Sequence, residues 1–498
     1  MDSSAVAECF RDKSILITGS TGFLGKLLVE KIMRIQPSVN KLYLLVRAPD
    51  ATSAEQRVLS EVIEKDPFNL LREKHGIAGF QNFIKEKIVP LAGDIMDSYL
   101  GLDNSTAHAL TEEIDVIINA AATTSFYERY DVALECNALG ARNACRFAKK
   151  CPNLKLFLHV STGFVAGTQN GLLLEKAFQN GEALREGCCL DIEAELQLVE
   201  NVKNELATLK SDGSPQPEKS IMKKLGLQRA CHFGWPNVYA FTKAIGEILV
   251  GQEHEDLPIV IIRPTMVTST YKDPFPGWIE GARTIDALIV AYNEQALPCF
   301  IGDRDDIIDA VPADMVINAT LVAMAVHWDD KHHVIYHVSS SLRNPLTGLV
   351  IEDACEDYFN SNPRMLENGK ALKNRRPYLF KGLAPFRAYM LLMYRLPLEM
   401  LHAMNILFCG LFSRYYNQFN RRYNFLALLV KLYAPYAFFK GRFDDTNFTK
   451  LRMELKTDNA DEGIFNCDPK QINWHKYLLD VHVPAVINYA NRNKNRSA

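Results

Sequence analysis

Cysteine is present but unorganised. The eleven cysteines of this 498-residue chain include no C-x-x-C pair and no regular spacing. Cys188 and Cys189 are adjacent, too close to bridge each other in ordinary geometry, and an odd, dispersed set fits reduced thiols in the cytosol or on its membrane face. Metal ligands are as sparse: His332 and His333 form an isolated pair without matching ligands, so no metal site is expected. Neither sign of charge dominates. With 56 Lys and Arg against 59 Asp and Glu, the formal net charge is −3, which gives no reason to expect nucleic acid as a partner. No apolar run reaches the ~18 residues that would span a bilayer, and no repeat or low-complexity tract is visible. The first strand begins near residue 13, so no secretory or transit peptide is expected ahead of it. What remains, 48% hydrophobic and 23% charged residues, is a globular composition long enough for two or more domains.

The first positive signal lies near the N-terminus. The apolar run Ile15-Leu16-Ile17 leads into Thr18-Gly19-Ser20-Thr21-Gly22-Phe23-Leu24-Gly25, followed by a helical pattern from Lys26 to Ile32. Glycines spaced G-x-x-G-x-x-G permit a tight turn and close backbone approach to a pyrophosphate at a helix N-terminus. A second strand, Lys41–Val46, ends at Arg47. A carboxylate there would hold a ribose diol, whereas an arginine suits the extra 2′-phosphate of NADP; a solvated strand-end charge is the competing reading.

Further strands are expected at Ile88–Asp94, Val116–Ala122, Leu156–Val160 and Ile259–Pro264, with helical patterns between them. This alternation predicts an α/β fold, a Rossmann-type doubly wound parallel sheet, followed by a mostly helical C-terminal domain. Asp94 is placed to meet an adenine. The small residues after Asn119, Ala120 and Ala121, would let a cofactor backbone pass closely.

The second signal is Tyr239-Ala240-Phe241-Thr242-Lys243. On a helix, Tyr and Lys four apart share one face, and a neighbouring ammonium pulls a phenol toward the working pH range. Upstream, Ser161-Thr162 ends a strand in hydroxyls; alignment through Val165-Ala166-Gly167 favours Thr162 as the catalytic hydroxyl, with Ser161 second. Asn137 reads equally as a structural or a cofactor-loop residue. Pro264 and Thr265 close the last expected strand beside the cofactor.

The reductase domain is expected over 11–325, with insertions at 51–87 and 172–232. The first carries one or two amphipathic helices (Arg57, Leu59, Val62, Ile63, Phe68, Leu70, Leu71). The second starts acidic near Asp191-Ile192-Glu193 and passes a loop at 211–215. Lys219, Lys223, Lys224 and Arg229 follow, either contacting an anionic substrate handle or forming a solvated face. A second domain, 340–498, is basic and aromatic-rich: between Pro385 and Arg442 eight cations face Glu399 alone. Such segments lie in membrane interfaces or pack as helical domains.

These residues resemble the alcohol-forming fatty acyl-CoA reductases, particularly the plant type, of the extended short-chain dehydrogenase/reductase superfamily. The resemblance covers nearly the whole chain. It rests on the Thr18–Gly25 turn, Gly234-Trp235-Pro236-Asn237-Val238-Tyr239 through Lys243, Ile262-Arg263-Pro264-Thr265, Asp309–Val316, and the tail Phe465–Lys470 with Ile472-Asn473-Trp474. It implies a long-chain acyl-CoA substrate, two NADPH, and an aldehyde on the way to a fatty alcohol for wax or suberin-type lipids. It also implies Tyr239 as proton donor, Lys243 as its modulator and Thr162 as oxygen holder. With the absent transit peptide, it suggests the cytosolic face of the endoplasmic reticulum, or else the cytoplasm. A reductase stopping at aldehyde, and a relative acting on a non-acyl substrate, remain open at this point, as does oligomeric state.

Overall fold

The computed structural model describes residues 1–211, 218–253, 257–328, 330–365, 369–455 and 463–497. Of the loop expected at 211–215, residues 212–215 lie outside this set.

A seven-stranded sheet forms the centre of the first unit. Its strands are β1 Ser14–Thr18, β2 Lys41–Val46, β3 Ile88–Ala92, β4 Val116–Asn119, β5 Leu156–Val160, β6 Ile259–Pro264 and β7 His333–Val338. All pair in parallel, in the order β7-β6-β5-β4-β1-β2-β3. Helices cover such a sheet on both faces, so its strands are buried on both sides and read as apolar runs; every residue of β1 and of β6 is buried. The order reverses between β1 and β4. That point, beyond the carboxyl ends of the strands, is where ligands bind in sheets of this kind.

Six of the strands stand where the sequence places them, and β7 is an addition. It falls between 325 and 340, in the gap assigned to neither domain. The compact units are interleaved: the first comprises 1–278, 310–342 and 442–471, the second 279–309, 343–441 and 472–498. In the first unit, Glu175 ties the returning segment to the sheet. Its carboxylate accepts the His337 N–H at 2.8 Å and the Phe448 N–H at 3.3 Å, and the Phe443 ring packs against the Gly163 turn.

The 51–87 insertion holds the helix Ala51–Val58, short turns, and the helical stretch Asn69–Lys87, which breaks at Gly76 (φ +67°). Val62, Ile63, Phe68 and Leu71 are buried as the periodicity implies, whereas Leu59 faces solvent. The 172–232 insertion forms the helices Ile192–Ser211 and Glu218–Phe233.

The second unit has its own core, with Phe300, Phe386, Met390, Leu426 and Leu429 among its members. From it extends a helical hairpin, whose helices Leu396–Leu407 and Ser413–Ala437 follow the π-turn Leu391–Arg395.

Candidate functional site

The turn after β1 is built by close backbone approach. Gly19 has φ +73°, and a Cβ there would lie 2.6 Å from the Ala120 carbonyl carbon and from the Ala121 nitrogen. A Cβ on Gly25 would lie 2.2 Å from the Gly19 oxygen. Only glycine lets the ends of β1 and β4 meet the first turn of helix α1, Phe23–Ile35. Gly22 caps α1 without a side-chain hydrogen bond, so its opening N–H groups are available to an anion, favoured also by the helix dipole. Buried Ser20 Oγ has no partner among the described residues. These features fit a dinucleotide pyrophosphate: Thr18, Thr21, Phe23 and Leu24 frame the turn, and Ala120 and Ala121 form its opposite wall.

Arg47 is exposed just beyond β2, and Asp94 is half-buried beyond β3. Burial pushes the Cys136 thiol up, while the charges of Lys243, Arg47 and Asp94 all act on it. Three residues chosen from separate motifs therefore converge within electrostatic reach of one atom.

Register brings the central residues together. Thr18 pairs with Asn119, and Asn119 with His159, on adjacent parallel strands. Their side chains form a buried line. Thr18 Oγ1 donates to Asn119 Oδ1 at 2.7 Å and accepts the Ala121 N–H at 3.2 Å, while Asn119 Nδ2 lies 3.0 Å from His159 Nδ1. The line ends at Lys243 Nζ, 3.2 Å from His159 Nε2 and donating to the Val160 carbonyl at 2.7 Å. Both His159 and Lys243 are buried. Burial lowers the Lys243 ammonium from its ordinary range to about 8, with Glu247 and Cys136 opposing. Burial and the neighbouring Lys243 charge also hold His159 well below its usual value.

Lys243 and Tyr239 lie one turn apart on helix α2, Val238–Gln252. The residues before α2 explain the Trp-Pro-Asn-x-Tyr pattern. Asn237 caps the helix by accepting the Ala240 N–H at 2.9 Å. Buried Trp235 donates from Nε1 to the Val165 carbonyl at 2.8 Å, pinning the hydroxyl turn to the tyrosine helix. Tyr239 itself is half-buried and stacks on Phe126, ring centroids 6.2 Å apart.

Thr162 Oγ1 accepts the Phe164 N–H at 3.3 Å and lies 3.4 Å from the Pro264 carbonyl, to which it donates. Ser161 Oγ is buried with no partner among the described residues. Thr265 follows in the same layer, its N–H donating to Val338 at 3.1 Å.

Asn137 exchanges hydrogen bonds with the backbone of Thr123 at 2.9 and 3.0 Å and donates to Thr242 Oγ1 at 3.0 Å. It clamps the segment after β4 against α2. Of the cluster ahead of the tyrosine helix, Arg229 bonds to buried Glu195 at 3.0 and 3.1 Å, joining the two insertion helices. Lys223 sits 5.4 Å from the centroid of the Tyr127 ring, and Lys219 and Lys224 are exposed. His159 is the residue the sequence did not flag. Its one signal is its position, two residues before Ser161 on a strand opposite Asn119.

All eleven cysteines are free. No group of His, Cys, Asp and Glu among the described residues is placed to hold a metal ion. No helix among the described residues is long and apolar enough to cross a membrane.

Residues 17–320 match an NAD-binding domain family described as male sterility protein, and residues 393–493 match a second family of the same description. Over 492 residues the chain is 46% identical to a probable fatty acyl-CoA reductase 4 of Arabidopsis thaliana, covering 98% of this chain and 99% of that one. It is 43% identical to an alcohol-forming fatty acyl-CoA reductase of Simmondsia chinensis, at the same coverage. Among solved structures, a reductase domain of a Mycobacterium tuberculosis non-ribosomal peptide synthetase superposes with a TM-score of 0.58. It shares 16% identity over 99% of this chain and 96% of the other, a likeness of fold. The chain belongs to the male sterility protein family, alongside the plant fatty acyl-CoA reductases.

Proposed function

We propose that this chain reduces a long-chain fatty acyl-CoA to the primary alcohol by way of the aldehyde, with NADPH as reductant. The observation that carries the reading is Lys243. It is a buried cation lowered to about 8, one helical turn from Tyr239, in the layer of the glycine turn. The near-full-length likeness to fatty acyl-CoA reductases supports the substrate class. Arg47 beyond β2 supports the 2′-phosphate form of the cofactor.

The Gly19–Gly25 turn and the start of α1 would hold the pyrophosphate, Arg47 the 2′-phosphate, and Asp94 the adenine side. A bound dinucleotide would supply one hydride to the carbonyl carbon of the thioester, and a second, taking its place once oxidised, one to the aldehyde. The chain's own work is on the oxygen, where negative charge collects. Tyr239 donates its phenolic proton there, and Lys243 favours the phenolate left behind. The hydroxyl of Thr162 holds the same oxygen, exchanging its long 3.4 Å bond to Pro264 for a shorter one. Ser161, with its unpartnered hydroxyl, is the second candidate. The reduced thioester then releases CoA thiol, and no covalent cysteine is required.

The same proposal sets the second unit on a membrane surface, at the cytosolic face of the endoplasmic reticulum. Support comes from the hairpin, whose tip residues Ile406, Leu407, Phe408 and Leu411 are all exposed.

The test is gas chromatography of lipids from yeast expressing the chain beside its Tyr239→Phe variant. New primary alcohols from the wild type alone are expected. Equal alcohol from the variant refutes the proton donor, and aldehyde in place of alcohol refutes the second reduction.

A further inference from the structure

Nothing in the reaction above uses His159, yet it links Lys243 to the dinucleotide turn through a line of hydrogen-bonding contacts of 2.7 to 3.2 Å. We propose that His159 is a positioning residue that couples the proton on Lys243 to Asn119 and Thr18, and so to the cofactor side of the site. The inference rests on the reductase reading for its kinetic test alone.

Donors and acceptors along this line must match in pairs. A neutral imidazole has one ring nitrogen that donates and one that accepts. If Lys243 is an ammonium, it can only donate, so Nε2 must accept and Nδ1 carries the proton. Asn119 must then present its oxygen to Nδ1 and its NH2 to Thr18, leaving the Thr18 hydroxyl proton free to turn outward. If Lys243 is a neutral amine, it accepts from Nε2–H. Nδ1 then accepts from the Asn119 NH2, and Thr18 donates to the Asn119 oxygen. Amide and ring orientations at this site follow from the network, since the two ends of each group are alike in shape. One proton on Lys243 thus selects between two networks, differing by a tautomer and an amide flip. In the neutral-amine network, whose donor order the structure shows, each of these groups keeps a partner; in the ammonium network the buried Thr18 hydroxyl gives up its acceptor Asn119 Oδ1, which adds to the cost of the charge.

The groups facing this line are few. Glu247 and Cys136 act on Lys243, with Tyr239 one turn before it on α2. Ile261 is the β6 partner of His159, and Arg263, further along β6, is paired to Glu247.

Replacing the imidazole by His159→Phe removes the acceptor that favours the ammonium. The alkaline limb of kcat should then move to lower pH by about one unit, with kcat down about twofold at pH 7 and about tenfold at pH 9, and the KM for acyl-CoA within about twofold. His159→Gln, which keeps an acceptor, should recover most of both. A folded His159→Phe enzyme with the wild-type kcat and limb overturns the proposal. The wild type supplies a test independent of turnover and of any variant. Nitrogen-15 histidine spectra should show a buried ring protonated on Nδ1 near pH 6.5 and on Nε2 near pH 9.5. A single tautomer across that range overturns the coupling, whereas absent acyl-CoA reduction with the tautomer change intact overturns only the substrate assignment.

Discussion

The hairpin of the second unit offers the sharpest test of membrane contact. Loop tips are ordinarily polar, yet this one reads Ile406-Leu407-Phe408-Cys409-Gly410-Leu411-Phe412, with Leu407 76% and Leu411 73% exposed. Helix α3, Leu396–Leu407, carries exposed Leu396, Met400, Met404 and Leu407 at helical spacing. Helix α4, Ser413–Ala437, adds exposed Tyr415, Phe419, Phe425 and Leu428. Exposed Arg414, Arg421 and Arg422 lie among them, so an anionic lipid surface is the one to test. A second copy docked face to face would set these cations against their own kind, a repulsive arrangement. Fully burying a leucine side chain is worth about 1.5–3 kcal/mol. With some three quarters of each still exposed, Leu407 and Leu411 together have on the order of 2–4 kcal/mol to gain from the interface. The double change Leu407→Asp, Leu411→Asp should therefore weaken binding to vesicles containing phosphatidylserine by roughly 30- to 1000-fold. Neither side chain belongs to the core, so thermal stability should stay within about 0.5 kcal/mol. Co-sedimentation with such vesicles measures the first and calorimetry the second. Undiminished sedimentation of a folded double variant would refute the reasoning. A dimeric wild type made monomeric by the change, with vesicle binding unaltered, would reassign the face to self-association.

Two further perturbations test the cofactor end and the core. Arg47→Ala should raise the Kd for NADPH by at least about tenfold while leaving NADH within about twofold, measured by fluorescence titration; equal losses would remove the 2′-phosphate assignment. Glu247→Ala should cost about 3–5 kcal/mol in chemical denaturation, because it strands buried Arg263 without its carboxylate partner. A loss below about 1 kcal/mol would mean water reaches that guanidinium.

How much of this was legible in the sequence depended on whether a pattern was local. Strands buried on both faces appear as uninterrupted apolar runs, so β1, β2, β4, β5 and β6 could be read directly, as could the turn between Gly19 and Gly25. Strand β7 was harder, since His333, Tyr336 and His337 dilute its apolar character and it lies next to a change in composition. Tyr239 and Lys243 announce themselves by a four-residue spacing. His159 does not, because its meaning arises from register with Asn119, 40 residues away, and from a helix 84 residues on. Of the cation cluster, Lys219 and Lys224 form the solvated face offered as one reading, while Arg229 escaped for the same reason as His159: it is answered by Glu195, 34 residues upstream, a pairing no local window contains. The interleaved units follow from the chain leaving the first unit at 279 and returning to it at 310 and 442, a path that composition does not record.

Lys243 should be an expensive residue to keep, and the cost should depend on pH. Its ammonium is lowered from 10.5 to about 8 by burial, while the unfolded chain holds the proton to its ordinary value. Below pH 8 the folded state therefore carries the full penalty, about 3 kcal/mol at 1.36 kcal/mol per unit. Between pH 8 and 10.5 unfolding takes up a proton, so this group makes stability rise with pH and the penalty fades. Lys243→Met removes the penalty but strands both the Val160 carbonyl and His159 Nε2, at about 1–3 kcal/mol each. At pH 7.5 the variant should thus lie within about 3 kcal/mol of the wild type in stability while losing alcohol formation. The firmer quantity is the difference between the two proteins as pH is raised. The wild type should gain on the variant by about 2 kcal/mol between pH 7.5 and 9.5, read from urea denaturation at each pH. Parallel curves would show that Lys243 titrates alike in both states, and that burial does not tune it for the chemistry assigned to it here.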